Sequence, residues 1–143
     1  MGFHEARIEK IIPFPTNFRV IILLSHQDTK KSESSMQVYN ERVATYELAH
    51  ELVKLSYPLY RDRLVYFRDI TAENLGLDPW GIYDILLSLP ERITRTEAAN
   101  RFPRDRKKDL ERIFSTHHEP AKGYAVRTEA LFGLSEIARA RHF

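Results

Sequence analysis

The amino-acid sequence predicts an α+β fold, a few-stranded sheet with helices packed on it. Two apolar runs, near residues 6–12 and 18–24, read as strands, and one segment near residues 36–55 repeats its apolar residues at helical spacing. The remainder, to residue 143, is divided by caps, glycines and prolines into shorter helices. A length of 143 residues suits one domain with a core of its own, or one part of a larger domain.

The elements follow in order. Ala6 to Ile12 alternates partly between apolar and charged side chains and is stopped by Pro13 and Pro15, as in a half-exposed strand. Phe18 to Leu24 is a compact β-branched run that suits a strand buried on both faces. Ser25 to Ser35 is polar and reads as a loop leaving that strand. Ser34 with Gln37 forms a capping box, and Tyr39, Val43, Tyr46, Ala49 and Val53 then share one face of a long helix from about Met36 to Leu55. Thr71 caps a brief helix ended by Gly76, and Asp78 with Pro79 opens another that runs to Leu89 and stops at Pro90. Thr94 and Glu97 form a second capping box for a helix ending near Pro103. Asp105 to Phe114 reads as a charged, exposed helix, and Thr128 to Phe143 as an amphipathic one with Arg139, Arg141 and His142 near its end. Two strands fall short of an ordinary sheet. Either a further strand lies around Leu64-Val65-Tyr66-Phe67, or the sheet is completed by residues beyond this chain.

Composition narrows the functional classes. A hydrophobic share of 43% with 29% charged residues belongs to a globular chain, not a disordered one. The absence of cysteine excludes disulfides and thiolate metal sites and fits the cytoplasm. The net charge is +2, and the basic runs at Arg101, Arg104, Arg106, Lys107, Lys108 and at Arg139, Arg141 read as solvated helix faces, with no nucleic-acid partner. The longest apolar run, Val20 to Leu24, is too short for a membrane span. His117-His118-Glu119 lacks the i, i+4 spacing of a helical zinc pair, and His4, His26, His50 and His142 are scattered. The serines lack a glycine-flanked elbow, and the five glycines do not cluster into a phosphate-cradling loop.

Several pieces, taken in order, resemble galactokinases. Val20-Ile21-Ile22-Leu23-Leu24-Ser25, the polar loop and Val38-Tyr39-Asn40-Glu41-Arg42 are similar to the middle of that family, where a buried strand ends in serine and a Tyr-Asn-x-Arg element starts a helix. Leu87-Ser88-Leu89-Pro90 and Ile93-Thr94-Arg95-Thr96-Glu97-Ala98 resemble the larger eukaryotic-type and arabinokinase-like members, as does the stretch from Tyr124 to His142. The resemblance covers most of Ala6 to Phe143 and implies that residues 1–143 are part of the carboxy-terminal domain of a sugar kinase of the GHMP superfamily. It further implies a parent that uses ATP and magnesium on a monosaccharide. The galactose signature, the phosphate loop and the late glycine-rich loop of that superfamily are not in this chain, and no residue here takes the place of the catalytic aspartate or arginine. The chain alone is therefore expected to be catalytically silent and to bind no cofactor. Tyr39 takes the place of the family's sugar-contacting tyrosine, after a loop longer than the family's; it also reads as the first core residue of its helix. A competing expectation is a binding module whose uncovered sheet edge or apolar face meets a partner or a second copy.

Overall fold

A computed structural model describes residues 11–23 and 33–141 of the chain. The chain divides into two units, residues 1–30 and 31–143. Of the described residues 66% are helical and none lies in a strand, which overturns the expected α+β sheet. The strand expected at Phe18 to Leu24 is absent across its described part: residues 18–23 form no regular element, and Val20, Ile21, Ile22 and Leu23 are 71%, 79%, 89% and 87% exposed. A β-branched run becomes a strand only when another strand takes its N–H and C=O groups, and none does so among the described residues. Of the strand expected at Ala6 to Ile12, residues 6–10 lie outside the described residues, and Ile11 and Ile12 are exposed without regular structure.

The second unit is a helical assembly. Helix α1, Glu33–Ser56, buries Ala44, Leu48, Ala49, Leu52 and Val53 along one stripe. It starts earlier than the expected capping box would place it, so Ser34 lies inside the helix, while Gln37 Oε1 instead accepts from the backbone N–H of His118 at 3.2 Å. The segment weighed as a third strand, Leu64 to Phe67, lies between a 3-10 turn at Pro58–Arg63 and a second at Phe67–Asp69, and its residues 64–66 form no regular element. There the Tyr66 N–H donates to Asp69 Oδ2 at 2.6 Å, folding the backbone into a turn, and Leu64 is driven fully inside.

The next three helices begin where their caps predict. Thr71 accepts from Asn74 N–H at the head of α2, Ala72–Leu75, which Gly76 ends in the left-handed region at φ 67°. Asp78 accepts from Gly81 N–H at 2.7 Å to open α3, Pro79–Ser88. Thr94 and Glu97 form their capping box on α4, Arg95–Arg101. A 3-10 turn at Arg104–Arg106 leads into α5, Lys107–Phe114, whose Leu110 and Ile113 are buried against the expectation of an exposed helix. Helix α6, Val126–Arg141, closes the assembly on α1 and α3.

Two features lock these pieces together. Ile93 and Tyr124 exchange backbone hydrogen bonds of 3.0 and 2.9 Å in an isolated antiparallel bridge, so the α4–α5 segment leaves and rejoins the frame at one point. A Cβ on Gly133 of α6 would lie 2.5 Å from Tyr46 Cε1 and 3.2 Å from Phe67 Cε1, so only glycine lets α6 settle against that edge-on ring pair.

Candidate functional site

The most connected side chain of the α4–α5 segment is Arg95, at the first position of α4. Its Nε donates to Tyr124 Oη at 3.0 Å, and Nη2 donates to the carbonyls of Phe114 and His117 at 3.1 and 2.7 Å. The guanidinium centre lies 5.0 Å over the Phe114 ring. The Arg95 N–H donates to Glu119 Oε1 at 2.7 Å, which places a carboxylate at the positive end of α4. Tyr124 Oη is also 2.9 Å from His117 Nε2. Tyr124 Oη thus accepts from the Arg95 Nε–H and shares a second hydrogen bond with the His117 ring.

Burial sets the ionisation of this cluster. It pushes the Tyr124 phenol above its usual range, partly offset by the Arg95 hydrogen bond. It holds His117 below the ordinary histidine value, aided by the positive charges of Arg95 and His118. The cluster is thus a closed polar knot that binds the start of α4 to the carbonyl end of α5.

The knot leaves one face of the pair outward. Arg104, Lys107, Lys108, Glu111 and Ser115 are all exposed and recur at helical spacing from the turn through α5 and just past its end. Their neighbours turn the other way: Arg106 pairs with Glu51 of α1 and, at 2.5 Å, with Asp109, while Arg112 pairs with Glu47 of α1 at 2.9 Å. Among the described residues, no ion pair involves Arg104, Lys107 or Lys108. Glu97, the nearest acid on α4, is held by the backbone N–H and hydroxyl of Thr94, which keep its carboxyl below the usual range. An open groove of about 400 Å³ runs between Arg95 and Ala99 of α4 and Lys107, Leu110, Glu111 and Phe114 of α5.

The residues singled out from the sequence are not brought together. Tyr39 is 64% exposed near the start of α1, so it is no core residue, and it does not line the α4–α5 groove. Of the His117-His118-Glu119 run, His117 is buried, His118 is exposed, and Glu119 is engaged at α4. His4, His26 and His142 lie outside the described residues. Among the described residues, no three histidine, aspartate or glutamate side chains gather as metal ligands would. Arg95, His117 and Tyr124 were not foreseen as a group, since 22 and 29 positions separate the arginine from its two aromatic partners. The readable signal was an arginine directly after the Thr94 cap, where a cation is unfavourable beside the helix dipole unless it is employed elsewhere.

No family model, no curated protein and no solved structure matches the chain. Among the described residues, no helix is long and apolar enough to cross a membrane.

Proposed function

We propose that the helical unit is a binding module that holds an anionic partner on the outward face of α5. The observation that carries this reading is the stripe Arg104, Lys107 and Lys108, three exposed cations whose basic neighbours Arg106 and Arg112 are already neutralised by α1. Side chains with acid–base chemistry support a binding role over a catalytic one: His117 and Tyr124 are buried in the Arg95 knot and spend their polar atoms within it. The lack of cysteine suits the cytoplasm as its setting. The sugar-kinase expectation drew on a buried strand at Phe18 to Leu24, and residues 18–23 lend it no support because they are exposed and irregular.

Heparin chromatography of the full chain tests the reading. Lys107→Glu with Lys108→Glu should elute at markedly lower salt than Arg61→Glu with Arg68→Glu, which alters net charge equally at exposed positions elsewhere. Equal elution of the two variants would show that only net charge matters and would overturn it.

A further inference from the structure

The run Phe18-Arg19-Val20-Ile21-Ile22-Leu23 combines strong strand propensity with an absence of cover. Val20 to Leu23 are all exposed, although four consecutive large apolar residues are what a chain ordinarily buries. In an extended backbone Phe18, Val20 and Ile22 would share one face and Arg19, Ile21 and Leu23 the other, so the run is apolar on both. Its backbone is equally open. The Phe18 N–H donates to the Pro15 carbonyl at 3.2 Å, and among the described residues no other backbone hydrogen bond reaches residues 11–23. That bond closes a turn over residues 15–18, yet the arms on either side of it form no hairpin, since Pro13 and Pro15 have no N–H to give to a ladder.

We infer that residues 18–23 are a self-pairing segment, to which a second copy of this chain adds the same run as an antiparallel β-strand. Whatever covers the run has to satisfy two edges of N–H and C=O groups and two apolar faces. The exposed edge of a partner's sheet would satisfy one edge and leave the faces to water. Copies of the run itself satisfy all four, because each strand pairs on both edges and the sheets so formed interdigitate through their apolar faces. The composition suits this, with no proline or glycine and a single charge, Arg19. That charge sets the direction. Parallel strands in register would stack Arg19 on Arg19, whereas antiparallel pairing centred on Ile21 puts Arg19 opposite Leu23 and Val20 opposite Ile22. The segment belongs to the first unit of the chain, and the inference is independent of the anion-binding reading of α5.

Light scattering of the full chain over the micromolar range tests the inference. The mean mass should rise with concentration, accompanied by a gain of β signal in the far-ultraviolet circular dichroism. Val20→Pro with Ile21→Pro removes N–H groups that point to opposite edges while keeping apolar side chains, and should raise the concentration needed at least about tenfold. Val20→Leu with Ile21→Leu keeps both the N–H groups and the apolar surface, and should stay within about threefold of the wild type. Residues 18–23 are exposed and irregular, so neither variant should change the melting temperature of the helical unit. Because the chain has no cysteine, single cysteines report the register. On oxidation Ile21→Cys should cross-link to itself much faster than Arg19→Cys does, and a mixture of Arg19→Cys with Leu23→Cys should cross-link rapidly. The inference is overturned by a chain that stays monomeric throughout, by a proline variant that associates as readily as the leucine variant, or by faster cross-linking at residue 19 than at residue 21. The first result would mean that another segment of the same chain or a different protein covers the run, and the second that its association is apolar adhesion without strand pairing.

Discussion

Replacing Arg95 by lysine keeps the charge and removes the planar fork, and the structure gives the expected cost. Arginine reaches three acceptors at once, Tyr124 Oη at 3.0 Å and the carbonyls of Phe114 and His117 at 3.1 and 2.7 Å, and a lysine ammonium has no comparable fixed geometry. At about 1 kcal/mol for each lost hydrogen bond, the loss is about 3 kcal/mol. For a helical unit of this size, that corresponds to a melting temperature lower by roughly 10–15 °C. Thermal denaturation followed by circular dichroism measures it. A cycle with Tyr124→Phe adds a specific check: the two substitutions share a hydrogen bond, so their combined effect should fall short of the sum by about 0.5–3 kcal/mol. A drop smaller than about 3 °C for Arg95→Lys, or strict additivity in the cycle, would show that the knot does not hold α4 to α5.

Stability should also decline in mild acid. Burial lowers the values of both His50 and His117, with Lys54 adding to the effect at His50 and Arg95 at His117, while Glu51 and Asp69 oppose it at His50. The unfolded chain, with histidines near 6.5, takes up protons first, so stability is complete above about pH 6.5 and lost below it. Urea midpoints at about pH 7.5 and about pH 5.5 should differ in that sense, and His50→Leu should flatten the profile; a rise toward acid would contradict the burial argument. Gly133→Ala should lower the melting temperature, since overpacking against Tyr46 at about 1–3 kcal/mol exceeds the roughly 1 kcal/mol gain in helix propensity. An increase would show that the ring moves aside freely. Tyr39→Ala should change stability by no more than about 0.5 kcal/mol, because the side chain is exposed; a loss of several would restore it to the core.

The helical part of the fold was legible where the information is local. Thr71, Asp78 and Thr94 each mark a helix start because a cap satisfies N–H groups two or three residues away, within the same short stretch of sequence. The error at Phe18 to Leu24 has the opposite origin: β-branched residues favour a strand only in the presence of a neighbour, and no property of the run itself shows whether one exists. The basic segment was half legible. Its seven basic and four acidic residues from Arg95 to Ser115 are plain in the sequence, but which cations turn toward Glu47 and Glu51 depends on how this segment meets α1, far earlier in the chain. Arg95 could not be matched to Tyr124 before the Ile93–Tyr124 bridge placed the two ends side by side.

That bridge gives the segment between Ile93 and Tyr124 the character of an exchangeable cassette. Its ends meet within two hydrogen bonds, and a Cβ on Gly123, at φ 71°, would lie 2.9 Å from the Ile93 carbonyl oxygen, so the junction fixes both position and spacing. The frame of α1, α3 and α6 has no stake in the outward residues Arg104, Lys107, Lys108, Glu111 and Ser115, whereas Leu110, Ile113, Arg106 and Arg112 seat the segment on α1. Selection or design can therefore rewrite the first group while conserving the second, and so alter what the face recognises at little cost to the fold.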